Sequence, residues 1–336
     1  MLIREMQEQN EFKNLSEYAA HSADSKGRKI EEEKCEMRTV FQRDRDRIIH
    51  SKSFRRLMYK TQVFIMPEGD HYRNRLLHTM EVKQIACSIA NALRLNVDLT
   101  EAIALGHDLG HTPFGHIGEH ILAERCSFGF KHNEQSVRTA DVLERDGKGI
   151  NLTYEVLDGI LNHQTKGNPS TLEGKIVQIS DKIAYVNHDI EDAVRANIIT
   201  AEDLPKEYID ILGKSKGKRI HTMVYDIVTN SQANSDIIMS PEIKTATYGI
   251  RKYLFENVYI GSKVTMGVKK AKNLITSLFD YYMEDSSEVE KHFEAILKKH
   301  SMTRERMVCD YIAGMTDRYA LKKFSEYFLP RPWDVY

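Results

Sequence analysis

The histidines of this chain are concentrated. Seven of the 14, His71, His78, His107, His111, His116, His120 and His132, fall in one stretch. Imidazole titrates near neutral pH and is the commonest protein ligand for metals, so the concentration points to metal binding, proton transfer or both. A His-Asp pair occurs twice, at His107-Asp108 and His188-Asp189. The first lies in ALGHDLGHTPFGHIGE, where apolar residues precede it and Gly, Pro and further histidines follow. That is the pattern of a helix ending at a lined pocket, and it makes His107-Asp108 the better metal candidate. Imidazole nitrogen with carboxylate oxygen suits one divalent ion: Mn, Fe, Co, Ni, Zn or Mg. Neighbouring residues on a helix point about a quarter-turn apart, so two of them hold one ion only where other helices supply further donors. His78 and Asp181 are the natural donors, although each taken alone reads as an ordinary surface group. A two-histidine zinc face built from His107 and His111 is disfavoured because position 108 is Asp and Gly110 breaks the helix.

These side chains have to be positioned by helices. Between Arg75 and Arg94, Leu76, Leu77, Met80, Ile85, Ile89 and Leu93 recur at helical spacing, and Thr100 can cap the segment EAIALGHDLG. Further helices are expected at 134–145, 153–163, 172–197, 219–230, 241–260, 263–284, 288–300 and 303–327, with Ser240 and Pro241 opening the fifth. The one β-favouring run, Lys60 to Met66, is short enough to be a hairpin arm or an extended loop. Residues 4–50 are dense in charge and read as an arm wrapped around a body. The basic turn GKSKGKR at 213–219 reads as a solvated loop. The fold class is therefore all-α with little or no β, and the chain one globular domain. Its catalytic core spans 60–200, with a helical C-terminal part over 201–336 and a boundary hinted at Asn197 to Pro205.

The 48 Lys and Arg offset the 49 Asp and Glu to a net charge of -1, so the overall field favours neither nucleic acid nor membrane. Any polyanion site must be local. Cys35, Cys87, Cys126 and Cys309 form no CxxC pair and suit a reducing compartment. With no apolar run of membrane-spanning length and a charged N-terminal stretch, a cytoplasmic protein is expected.

The motifs FQRDRDRIIHSKSFRRLMYKTQVF, RNRLLHTMEV, GHDLGHTPFGHIGE, HNEQS and DKIAYVNHDIEDA, in this order, resemble those of the deoxyguanosinetriphosphate triphosphohydrolase family of HD-domain proteins. The resemblance covers most of residues 38–195 and implies an HD-domain helical bundle with an additional helical C-terminal region. It also implies that His78, His107, Asp108 and Asp181 ligate the metal, with further Mg accompanying the nucleotide. The implied reaction is hydrolysis of dGTP or several dNTPs at the α-phosphorus, giving deoxynucleoside and intact triphosphate. By motif, His116 is the catalytic histidine, Glu119 the carboxylate that orients it, and His111 and His132 contacts to the phosphates. Arg75 and Lys182 are implied phosphate cations. Tyr185 packs where a ribose 2′-OH would stand, while Asp189 and Gln62 bond the 3′-OH. Taken outside the motifs, His132 reads as a surface histidine and Tyr185 as a core aromatic. The later segment IRKYLFENVY is also similar to the family, without roles for its residues.

Two other readings compete: another HD phosphohydrolase, such as a phosphodiesterase or (p)ppGpp hydrolase, and a non-enzymatic nucleotide sensor or single-strand nucleic-acid-binding protein. HTPFGHIGE and the Tyr185, Asp189 pair argue against the first, and the intact His116 and ligand set against the second. The expected partners are a dNTP and further copies of the chain in a homo-oligomer. An allosteric nucleotide is compatible with the resemblance, single-stranded nucleic acid has no support in the sequence, and no membrane is expected.

Overall fold

A computed structural model describes residues 1–62, 72–259 and 262–330. Among them the chain forms sixteen α-helices and no β-strand, with isolated bridges at Arg28 and Thr153 and at Thr61 and Asn74. In order the helices are α1 (Ile3–Asn14), α2 (Val40–Ile49), α3 (Lys52–Arg56), α4 (Arg75–Ala92), α5 (Val97–Gly106), α6 (His116–Arg125), α7 (His132–Arg138) and α8 (Tyr154–Asn162). There follow α9 (Leu172–Arg195), α10 (Lys206–Leu212), α11 (Lys216–Ser231), α12 (Pro241–Leu254), α13 (Ser262–Glu284), α14 (Ser287–Leu297), α15 (Arg304–Ala313) and α16 (Asp317–Phe328). Wider turns continue α7 over Thr139–Leu143 and α12 over Phe255–Tyr259. Of the β-favouring run only residues 60–62 are described; positions 63–66, and His71, lie outside the described residues.

The central helices start where capping chemistry dictates. Asn74 accepts from the Leu77 amide (2.9 Å) at the head of α4, Thr171 from Gly174 (3.1 Å) at the head of α9, and Ser240 caps α12 with Pro241 in its first turn. The head of α5 corrects the sequence reading: the cap is Asn96, which accepts from Leu99 (3.1 Å). Thr100 lies inside the helix and donates its hydroxyl to the Asn96 carbonyl (2.9 Å). α4 packs on α5 and α9, and α8 on α5 and α9. Their apolar faces, including Val82, Ile85, Ile89, Leu99, Ile103, Ile160 and Val177, form the larger core.

Three expectations change. The charged arm does not merely wrap the body, because Phe41 and Ile48 of α2 are fully buried in that core beside Asp44, which pairs with Arg28. The expected helix over 303–327 is two helices, broken at Gly314, Met315 and Thr316, with Thr316 capping α16. The basic turn at 213–219 is not simply solvated: Ser215 caps α11, Lys216 pairs with Glu191 (3.0 Å), and buried Arg219 bonds Asn187 (2.9 Å). A second apolar cluster joins Phe114, Ile121 and Leu122 to Leu274, Ile275, Leu278, Val289, Phe293, Val308 and Ile312 of α13–α15. The larger core runs on through Leu254 and Val258 of α12 and the turn that continues it.

Candidate active site

α5 ends in a tight turn. His107 closes the helix, the Leu109 amide reaches back to Gly106, and the His111 amide to Asp108 (3.1 Å). Ser136 of α7 fixes this turn by accepting from the Gly110 amide (2.9 Å) while its hydroxyl meets the His107 carbonyl (2.8 Å). Glycine is required at 110, since a Cβ there would stand 2.2 Å from the Ser136 amide nitrogen. His78 comes from α4 and Asp181 from α9, which bring their side chains to the same place. His78 Nε2 lies 3.0 Å from Asp181 Oδ1, and His107 Nε2 lies 3.4 Å from Asp108 Oδ1 and 3.9 Å from Asp181 Oδ1.

The donor set fits a divalent cation. His107 Nδ1 is 2.7 Å from the Ala104 carbonyl and donates to it, so the lone pair sits on Nε2. That buried nitrogen has no hydrogen-bond partner and faces two carboxylates. An imidazole lone pair turned toward carboxylate oxygens is repulsive unless a cation stands between them. Asp108 is buried, which alone would raise its pKa, yet the Arg75 guanidinium bonded to it helps hold it well below the usual carboxylate range. His78, His107 and Asp108 lie close enough to share one ion, with Asp181 adjoining.

Next to this set runs a chain of histidines. His116 opens α6, and its Nδ1 is 3.1 Å from Glu119 Oε2. Glu119 also accepts from the His132 backbone amide (2.9 Å) and from His132 Nδ1 (2.9 Å). His132 Nε2 meets His163 Nε2 at 3.1 Å, and His163 Nδ1 donates to the Ile160 carbonyl (2.7 Å). His163 therefore offers a lone pair and His132 donates from both nitrogens. Burial opposes charge on His132, but Glu119 overrides it and raises its pKa. Burial, with His107 and His132 nearby, lowers His163 to about 4. Burial works against ionisation of Glu119, yet its bonds to His116 and His132 hold it far below the usual range. His111 is buried and stacked on His132, ring centroids 4.2 Å apart.

The opening beside these residues, a cavity of about 360 Å³, is lined by His116, His132, His163, Lys182, Tyr185 and Arg251, with Gln164, Thr165, Lys166 and Asp181 completing it. Arg75 does not line it: its guanidinium is buried and donates to Asp108 (2.7 Å). Gln62 and Asp189 are likewise buried. His188 of the second His-Asp pair lies 2.8 Å from Glu81, away from the metal set. Sequence reasoning missed His163, Ser136, Arg251 and the 164–166 loop. Ser136 was within reach through HNEQS, and Arg251 stands inside the family-like segment IRKYLFENVY. His163 in LNHQTKGN carries no signal of its own.

The HD domain family model matches residues 75–186, the stretch holding the four candidate metal donors and the histidine chain, and the phosphohydrolase-associated domain model matches 237–326. Fold and donor set together define an HD-domain protein. A deoxyguanosinetriphosphate triphosphohydrolase-like protein of Caldanaerobacter subterraneus subsp. tengcongensis is 61% identical over 99% of this chain and 98% of its own. One of Clostridium perfringens is 50% identical over 98% and 99%. The chain belongs to this family of deoxyguanosinetriphosphate triphosphohydrolase-like proteins. A solved structure of a hypothetical protein from Aquifex aeolicus is also similar, at 18% identity and a TM-score of 0.49 over 86% of this chain and 68% of that one.

Proposed function

We propose that the protein is a metal-dependent hydrolase that converts deoxynucleoside triphosphates to deoxynucleoside and intact triphosphate. One observation carries the reading: the His78, His107, Asp108 and Asp181 donors adjoin a pocket lined by carboxylate-held His116 and by Lys182 and Arg251. The names of the relatives support the same substrate class. Those four residues would hold a divalent ion, which would supply Lewis-acid polarisation of a phosphoryl oxygen and an acidified water. The attacking water forms a bond to the α-phosphorus, the bond from that phosphorus to the 5′ oxygen breaks, and the 5′ oxygen gains a proton. Glu119 fixes the His116 tautomer and keeps Nδ1 occupied, so Nε2 is the atom that exchanges a proton with the water or the departing oxygen. Lys182, Arg251 and Lys166 offset phosphate charge at the pocket wall. His111 and His132 back the phosphates, and Arg75 acts through Asp108. Tyr185 lines the pocket from α9 and would crowd a 2′-OH, whereas Gln62 and Asp189, the expected 3′-OH partners, are buried outside the pocket lining and would support its wall from behind.

The reading is tested by loading the protein with Mn, Co, Ni, Zn or Mg, offering each of the four dNTPs and GTP, and resolving products by ion exchange. Deoxynucleoside with intact triphosphate is expected from at least one dNTP and little from GTP. Release of diphosphate, or equal turnover of GTP, would overturn it in favour of another phosphohydrolase activity.

A further inference from the structure

The C-terminal helices reach the His116 loop through two buried side chains. Asp317 is the first residue of α16 and 3% exposed, but it does not cap its own helix; Thr316 does, accepting from the Tyr319 amide (3.2 Å). The Asp317 carboxylate reaches across to two other segments. Oδ1 accepts from the Phe114 amide (2.9 Å), and Oδ2 accepts from the Thr61 amide (2.9 Å) and the Thr61 hydroxyl. Lys60, 2% exposed, donates to the His111 carbonyl and to the Ala313 carbonyl (2.9 Å). Both ends of the loop from His111 to Phe114 are thus tied to the turn between α15 and α16, and residues 60–61 are tied to the same turn.

What these bonds hold is an unfavourable backbone. Phe114 has φ 59° and Gly115 φ 60°, two successive left-handed residues immediately before His116, and the first of them is an aromatic that resists this region. A Cβ at Gly115 would stand 3.0 Å from Arg75 Nη2 and 3.2 Å from the Gln62 carbonyl oxygen. The kink therefore also packs against the arginine that holds Asp108 and against the segment carrying Gln62. Such a conformation persists only where the surroundings over-determine it; at the kink itself the Thr112 hydroxyl donates to the Gly115 carbonyl (2.8 Å) from within the loop, and Asp317 accepts from the Phe114 amide from outside it.

We propose that Asp317, with Lys60, is a positioning residue: the C-terminal helices set the Phe114–Gly115 kink and so hold His116 in register with the metal donors. The inference rests on the reading of His116 as the proton-transfer group. It gives α15 and α16 a part in catalysis without placing either helix against the substrate.

The test uses the full chain and two variants. Asp317→Asn keeps the volume but turns one acceptor into a donor facing an amide; Thr61→Val removes only the hydroxyl arm. Two readouts are taken, steady-state kinetics with the metal-loaded protein and amide hydrogen exchange across residues 109–119. For Asp317→Asn the expected result is a fall in kcat of about 10- to 100-fold, with KM and bound metal near wild type. Exchange in 109–119 should quicken while α4 and α9 stay protected, and Thr61→Val should show both effects in smaller measure. A folded, metal-loaded Asp317→Asn with wild-type kcat and unchanged exchange would overturn the proposal. If Asp317→Asn does not fold, Thr61→Val decides, and wild-type exchange and kcat there would overturn it. Absence of any triphosphate release by the wild type would instead sink the functional reading, leaving the exchange measurement to judge the clamp by itself.

Discussion

Of the histidines gathered at the pocket and the candidate metal donors, His116 has a side chain 63% accessible, while His78, His107, His111, His132 and His163 are buried. An accessible imidazole held by a carboxylate suits proton exchange with a substrate, whereas the buried ones suit fixed roles. His116→Ala is accordingly expected to lower kcat by about 10²-fold or more and to leave metal and nucleotide binding near wild type. Steady-state kinetics beside calorimetric nucleotide binding checks this, and an unchanged kcat would remove His116 from the mechanism. Asp181→Ala should behave in the opposite way and lose the ion; full metal occupancy by elemental analysis would strike Asp181 from the donors. The His-Asp pair and its glycine-rich sequel were legible in the sequence because those residues are adjacent. His163 and Arg251 were not: each is a lone side chain on α8 or α12, and only tertiary packing brings it to the pocket. Arg75 shows the converse limit, since its spacing from His78 suggests a phosphate contact but says nothing of Asp108, which takes up one of its amino groups.

At the scale of elements, α9 does double service. Its middle presents Asp181 and Tyr185, and its first turn fastens the N-terminal arm. Buried Glu173 accepts there from the backbone amides of Ala20 (3.0 Å) and Asn96 (2.9 Å). Burial outweighs these bonds and pushes its pKa up from 4.5 to about 7. A carboxyl raised in the folded state is favoured there as the protonated form. Its contribution is thus fully present below about pH 4.5 and is lost as pH rises through about 7. The interval corresponds to roughly 3 kcal/mol at most. Denaturant unfolding at pH 5 and pH 8 should show wild type losing stability relative to Glu173→Gln as pH rises, and a constant difference would contradict this. Helical periodicity located α4, α8, α9, α12 and α14 well because each carries a continuous apolar stripe. It failed at α2, where charged residues outnumber the buried Phe41 and Ile48, and at the α15–α16 break, which leaves the apolar spacing uninterrupted.

Among the described residues the molecule is built from two apolar clusters, and the candidate site loop lies where they meet. Leu105 and Leu109 belong to the first cluster and Phe114, Ile121 and Leu122 to the second, so the stretch carrying His107 to His116 spans the seam. α7 is bonded across that seam as well: Asp310 of α15 accepts from Arg138 and Gln135. None of this could be read from a composition whose charges cancel, and no described helix is long and apolar enough to cross a membrane. A site stitched together from α4, α5, α6, α7, α8, α9 and α12 suits chemistry on a substrate oriented from several sides. The most direct test of that chemistry is turnover of a dNTP in water enriched in the heavy oxygen isotope, with products weighed by mass spectrometry. The account predicts one heavy oxygen in an intact triphosphate and none in the deoxynucleoside. A label found in monophosphate or diphosphate, with no triphosphate formed, would contradict it.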